Sequence, residues 1–144
     1  MKKTIQLLML CFAISSVALA QKPSHVEIQE LTFKTFKQKV WNFDKNKNFV
    51  REGKLPIILD FYATWCRPCK MLAPHLHVIQ EKYNGKLIIY EIDVDKEPEL
   101  AQRFNVNAMP TLIFISDTKS YKSELGYKEY DELEKLVKSS FFQK

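Results

Sequence analysis

The sequence predicts an α/β domain in which a β-sheet packs against amphipathic helices. Apolar runs rich in β-branched and aromatic residues, of the kind found in buried strands, occur at 57–62, 86–94 and 111–116. Segments with helical spacing of apolar residues lie between and after them. This alternation favours a layered α/β sandwich, and no internal repeat is visible that would suggest a solenoid.

The first half of the chain has recognisable start and stop signals. A short strand is predicted within 26–31, and Thr32 is a favoured N-cap for the helix that follows. That helix places four apolar residues at core spacing, namely Phe33, Phe36, Val40 and Trp41. The polar, basic stretch 42–55 is predicted to be a loop, and Pro56 leads into the strand 57–62.

The second half continues the alternation. A helix follows the strand 57–62 and stops at Tyr83-Asn84-Gly85, where glycine suits the left-handed conformation of a helix C-terminus. The remaining predicted elements are a strand at 86–94, a helix at 97–104, a strand at 111–116, a turn at 117–120, a strand at 121–125 and an amphipathic helix carrying Leu133, Leu136, Val137 and Phe141.

Residues 1–20 have the pattern of a cleaved signal peptide. Lys2 and Lys3 form a basic start, residues 5–17 are mostly apolar, and Ala18-Leu19-Ala20 is a small-x-small cleavage site. We therefore expect cleavage after Ala20 and a domain at 21–144 in the periplasm or outside the cell. The alternative is a retained membrane anchor, although the apolar run is short for a membrane span.

The number of cysteines and the net charge argue against two classes of protein, disulfide-stabilised scaffolds and nucleic-acid-binding proteins. Cleavage removes Cys11, so Cys66 and Cys69 would be the cysteines that remain. An exported protein with one such pair is better explained as a catalyst of disulfide exchange than as a scaffold stabilised by disulfides. The formal charge of +5 falls to +3 when Lys2 and Lys3 leave. The other lysines are scattered among acidic residues, so we expect no nucleic-acid partner.

The motif Cys66-Arg67-Pro68-Cys69 lies where the strand 57–62 gives way to a helix. Free N–H groups and partial positive charge at a helix N-terminus stabilise a thiolate, which predicts Cys66 as the more exposed nucleophile. Cys69 would lie one turn inside on the same face as the resolving thiol, and Pro68 suits a first helical turn.

Two other interpretations of the motif compete with redox chemistry. A zinc site needs four ligands, and no second Cys/His pair follows at finger spacing, so we expect no metal. A purely structural disulfide would close a loop too short to restrict the unfolded chain much.

The stretch 60–74, Asp-Phe-Tyr-Ala-Thr-Trp-Cys-Arg-Pro-Cys-Lys-Met-Leu-Ala-Pro, resembles the active-site signature of thioredoxins. Asn107-Ala108-Met109-Pro110-Thr111 is similar to the cis-proline loop of that family, and Gly126 follows at the family's usual distance. The resemblance extends from about Leu31 to the C-terminus. It implies a thioredoxin fold, with a central mixed β-sheet flanked by helices on both faces. Arg67 departs from the pattern, because typical thioredoxins have glycine there.

The resemblance also implies roles for individual residues. Asp60 would be a buried carboxylate beneath the cysteines that relays protons, the alternative being a strand-end residue facing solvent. Trp65 would be a lid beside the disulfide, the alternative being a core tryptophan. Met109 would offer its backbone to an extended substrate segment as in β-augmentation. Pro110 and Gly126 would complete this docking site together with Trp65 and Pro68.

We therefore expect an exported protein-disulfide reductase that acts on protein disulfides, binds no cofactor and is a monomer. Its electrons would come from a membrane thiol–disulfide donor. The alternatives are an oxidant or isomerase of the same fold, or a binding module whose cysteines are incidental. Oxidants of the Dsb type carry a large helical insertion, for which this chain has no room. Arg67 should tune the reduction potential and contribute only roughly 13 mV in water.

Overall fold

The computed structural model describes residues 26–116 and 119–143. In these residues five strands form one sheet, and helices pack on both of its faces. The elements in chain order are β1 Gln29–Glu30, α1 Phe33–Lys39, β2 Ile57–Tyr62, α2 Arg67–Lys82, β3 Ile88–Asp93, α3 Pro98–Arg103, β4 Thr111–Ile115, β5 Lys122–Leu125 and α4 Tyr130–Phe141.

The sheet is mixed, with the strand order β1-β3-β2-β4-β5. Strand β3 is parallel to β1 and to β2, whereas β4 is antiparallel to both β2 and β5. Strand β2 is therefore central, and the motif that follows it lies at the middle of one sheet edge. The predicted fold, a mixed sheet flanked by helices, is confirmed.

The two faces of the sheet bury separate hydrophobic clusters, because successive side chains of a strand point to opposite faces. On β2, Ile57, Leu59 and Phe61 pack with residues of α1 and α3. Ile58 packs on the other face with residues of α2 and α4. Asp60 shares this second face, so the alternation places a carboxyl group beneath α2.

Most predicted elements are found, and one is shorter than expected. Thr32 caps α1 through a capping box with Thr35, and 42–55 contains neither helix nor strand. The strand predicted within 26–31 is reduced to Gln29 and Glu30, because only these two residues pair with β3.

Some sequence predictions fall outside the described residues. The signal peptide predicted at 1–20 and its cleavage site lie there, as do Asp117 and Thr118 of the predicted turn. Among the residues that the structure describes, no helix is both long and apolar enough to cross a bilayer.

Candidate active site

The cysteine pair occupies the N-terminus of α2, as predicted. Cys66 is the N-cap of this helix and Pro68 lies in its first turn. The two cysteines form a disulfide with their Cα atoms 5.4 Å apart. The backbone N–H of Cys69 donates a hydrogen bond of 3.2 Å to Cys66 Sγ. One of the unpaired donors of the helix terminus is thus directed at the Cys66 sulfur.

Solvent exposure does not distinguish the two cysteines. The exposed fractions are 4% for Cys66 and 3% for Cys69 in the disulfide state, so the expectation that Cys66 is the more exposed one is not met. The hydrogen bond from Cys69 N–H makes the distinction instead, since it stabilises negative charge on Cys66 Sγ. The choice of Cys66 as nucleophile therefore depends on helix geometry.

Trp65 is on the surface beside the disulfide. It is 67% exposed, which excludes the alternative of a core tryptophan. Its Nε1–H donates a 2.8 Å hydrogen bond to Oδ2 of Asp95, just after β3. The sequence analysis did not identify Asp95 as a partner of Trp65. Its position just after β3, the strand parallel to β2, could have suggested this contact. This hydrogen bond holds the exposed indole ring of Trp65 in place through its N–H group.

The proline loop and Gly126 meet next to the cysteines. The Met109–Pro110 peptide bond is cis, and Met109 packs against the Cys66–Cys69 cluster. The N–H of Gly126 donates a 2.8 Å hydrogen bond to the Pro110 carbonyl. Gly126 has φ +88°, a conformation that favours glycine. Residues that are distant in the sequence thus form one surface around the disulfide, and exposed Arg67 is next to it.

Asp60 lies beneath this surface. Its exposed fraction is 2%, which excludes the solvent-facing alternative. It lines a cavity of about 300 Å³ together with Cys69, and its Oδ1 has no hydrogen-bond partner in the part of the chain that the structure describes. Burial and, after it, the charge of Glu91 together raise the pKa of Asp60 to about 8. At neutral pH this carboxyl is therefore mostly protonated, and once deprotonated it is a base strong enough for a thiol.

Glu91 is the neighbour of Asp60 on the next strand. The two residues are paired in the parallel register of β2 and β3, and Glu91 lines the same cavity. Burial and then the charge of Glu30 raise the pKa of Glu91. Two carboxyl groups therefore line the cavity beside Cys69, and the charge of Glu91 opposes ionisation of Asp60.

Tyr62, Glu30 and Lys96 form a hydrogen-bonded group near Asp60 and Glu91. The sequence analysis did not predict this group. The Tyr62 hydroxyl lies 3.3 Å from Oε2 of Glu30 and donates to it, and Lys96 Nζ lies 2.9 Å from Oε1 of Glu30. Burial, followed by the charges of Glu30, Asp93 and Glu91, raises the pKa of Tyr62 to about 12. Its hydroxyl therefore stays protonated and can act as a donor throughout the physiological range.

Within 26–116 and 119–143, no three His, Cys, Asp or Glu side chains are grouped so that they could hold an ion. The arrangement as described has the parts required for thiol–disulfide exchange, namely a sulfur pair at a helix terminus and a buried base.

Comparisons with known proteins agree with the geometry. The family model described as Thioredoxin matches residues 28–139. The thioredoxin of Borreliella burgdorferi is 35% identical over 111 residues, which are 77% of this chain and 95% of that protein. The chloroplastic M-type thioredoxin of Spinacia oleracea is 30% identical over 80% of this chain and 58% of that protein. The crystal structure of oxidised mitochondrial thioredoxin 3 from Saccharomyces cerevisiae superimposes with a TM-score of 0.60 at 34% identity, covering 78% of this chain and 94% of that one.

Proposed function

Since this chain belongs to the thioredoxin family, we propose that it is a protein-disulfide reductase that works outside the cytoplasm. It is a thiol–disulfide oxidoreductase with Cys66 and Cys69 as its redox-active pair. The observation that carries the proposal is the position of this pair, at a helix N-terminus and with Cys69 lining the same cavity as the buried Asp60.

The proposed reaction starts from the dithiol. The Cys66 thiolate attacks one sulfur of a substrate disulfide, forming a mixed disulfide and expelling one substrate cysteine as a thiolate. Asp60 removes the proton of the Cys69 thiol, and Cys69 then attacks Cys66 Sγ. The second substrate thiolate leaves and the Cys66–Cys69 disulfide forms. Two electrons pass to the substrate, and a donor dithiol returns them to the protein.

Substrate would dock on the surface that surrounds the disulfide. An extended segment could pair with the backbone of Met109, in the manner of an added strand. Pro110 and Gly126, joined by their hydrogen bond, would hold that backbone in position. Trp65 and Pro68 are exposed next to the cysteines in the sequence and would supply apolar contacts.

Electrostatics supports the reductive direction. A cation about 7 Å from a thiolate in water contributes roughly 0.6 kcal/mol, which corresponds to roughly 13 mV for a two-electron couple. Thioredoxins and strong periplasmic oxidants differ by about 150 mV. Arg67 therefore raises the potential without reaching the range of an oxidant.

The proposed compartment depends on the signal-peptide pattern of residues 1–20. Outside the cytoplasm the protein would need reducing equivalents from a membrane thiol–disulfide donor. Its substrates would be disulfides of exported proteins, and we propose that it acts as a monomer without a bound cofactor.

The direction can be tested by equilibrating the protein with glutathione redox buffers and by following insulin reduction. A reductase should show a potential below about −230 mV, whereas a value above about −150 mV would favour the oxidant. The Cys66→Ser/Cys69→Ser double variant is the control for a binding module. If the double variant restored function in cells that lack the protein, the cysteines would be incidental and the enzymatic proposal would be wrong.

A further inference from the structure

Glu91 lines two recesses on neighbouring parts of the protein. One is the cavity of about 300 Å³ that contains Asp60 and Cys69. The other is an open cleft of about 490 Å³ beside β1, lined also by Glu27 and Glu30. Glu91 is half-buried, whereas Asp60 is buried. Glu91 therefore adjoins both the cavity of the buried Asp60 and an acidic cleft that is open to solvent.

Thiol–disulfide exchange requires a route by which the proton taken up by Asp60 can reach solvent. Each time Cys69 is deprotonated for attack, Asp60 gains a proton that it must lose before the next cycle. A carboxylic acid whose pKa is about 8 releases its proton slowly to water alone, because water is a weak base. A nearby ionised carboxylate is a better acceptor, provided that it can itself exchange with solvent.

We propose that Glu91 is the proton exit of this active site: it accepts the proton that Asp60 removes from Cys69 and passes it to the cleft beside β1. The proposal rests on the proposed function, because it assumes that Asp60 is the base for Cys69. The proton moves from Cys69 Sγ to the Asp60 carboxylate, then to the Glu91 carboxylate and then to solvent. No electron moves in these steps.

The charges around Glu91 are consistent with this role. The negative charge of Glu91 is one cause of the raised pKa of Asp60, so a charged Glu91, able to accept a proton, is the neighbour of a protonated Asp60. The other titratable groups around this region are Glu27 just before β1, Glu30 on β1, Tyr62 on β2, Cys69 and Lys70 on α2, Asp93 at the end of β3 and Lys96 in the turn after it.

Lys96 and Tyr62 both contact the carboxylate of Glu30. Lys96 Nζ is 2.9 Å from Oε1 of Glu30 and 3.5 Å from Oδ2 of Asp93, and the Tyr62 hydroxyl donates to the other oxygen of Glu30. These contacts hold the Glu30 side chain in place beside the open cleft that Glu91 also lines.

The test is a pH jump on the oxidised protein, followed by infrared absorption of the protonated Asp60 carboxyl. An Asp60→Asn variant identifies the band. In Glu91→Gln we expect the titration midpoint of the band to fall by about 1 pH unit, the effect of removing one charge about 6 Å away at an effective dielectric constant of about 40. We also expect proton loss after an upward jump to become roughly tenfold slower or more.

Acetate and a conservative variant separate proton transfer from a structural effect. Added acetate should restore the rate in Glu91→Gln, and Glu91→Asp, which keeps a carboxyl, should retain most of it. Glu99→Gln on α3 removes one exposed charge and should match the parent. A lowered midpoint with an unchanged rate, or a slowed rate that acetate does not restore, would overturn the proposal, as would an unchanged rate and midpoint.

The pH jump uses neither substrate nor reductant, so its outcome is independent of the direction of catalysis. If insulin reduction failed while Glu91→Gln behaved as expected, the proposed reductase activity would be wrong, and the release of the Asp60 proton through Glu91 would stand. If insulin were reduced normally and Glu91→Gln released its proton at the parent rate, water in the Asp60 cavity would be the acceptor and only the exit would be wrong.

Discussion

Replacing Asp60 by asparagine should change the pH dependence of stability as well as the reaction. The carboxyl is buried, and its Oδ1 accepts no hydrogen bond from the described residues. Asparagine has nearly the same shape and does not ionise. The substitution therefore removes the cost of burying a negative charge and leaves packing almost unchanged.

The magnitude follows from the shift of the pKa of Asp60 from 3.8 to about 8. Between these values the folded protein binds more protons than the unfolded chain, so stability falls as pH rises through this interval. Each pH unit corresponds to about 1.4 kcal/mol, which gives a cost of about 4 kcal/mol at pH 7 and about 6 kcal/mol above pH 8. Partial solvation of the ionised carboxylate would reduce these values, so we expect Asp60→Asn to gain about 2–4 kcal/mol at pH 7 and almost nothing near pH 4.

Urea unfolding of the oxidised proteins between pH 4 and pH 9 measures this difference. Asp44→Asn is the matched control, because its side chain is 63% exposed in the loop between α1 and β2. The control should follow the parent at every pH to within about 0.5 kcal/mol. If the curves for Asp60→Asn and the parent ran parallel, Asp60 would be ionised in the folded protein, and its role as a base of raised pKa would be refuted.

Three further predictions concern the cysteines, Arg67 and the N-terminus. Cys66→Ser should abolish disulfide reduction, whereas Cys69→Ser should accumulate a mixed disulfide through Cys66. If peptide mapping located a trapped substrate on Cys69 of the Cys66→Ser variant, the roles of the two cysteines would be reversed. Arg67→Gly should lower the reduction potential by about 10–40 mV in glutathione equilibration, because a cation beside the thiolate is lost; a change above roughly 100 mV would favour the oxidant. Mass spectrometry of exported protein should show a chain that begins at Gln21, and detection of Met1 would indicate a retained anchor.

Local patterns in the sequence were enough to predict the fold class and the position of the reactive cysteines. The run Ile57–Tyr62 has strand character, and the apolar spacing after it is helical, so Cys66 had to lie at a helix N-terminus. Thr32 was identified as an N-cap on the same basis. Capping and periodicity involve residues within one or two turns of each other, and the amino-acid types alone report them.

The arrangement below the cysteines was decided by the tertiary structure. Asp60 and Glu91 belong to different strands, and their pairing depends on the parallel register of β2 and β3. The sequence alone does not show that Glu91 lines both the cavity of Asp60 and the cleft beside β1. The contacts of Trp65 with Asp95 and of Gly126 with Pro110 likewise join separate parts of the chain.

The physical reason is that register and burial are properties of the assembled sheet. A shift of one residue in the pairing of β2 and β3 would move Glu91 to the opposite face and leave Asp60 without a carboxyl neighbour. Packing of both hydrophobic clusters selects the observed register, and those clusters include residues from almost every element of the fold. The sequence alone thus determined which residues can carry out disulfide chemistry, and the packed sheet determined which carboxyl groups surround them.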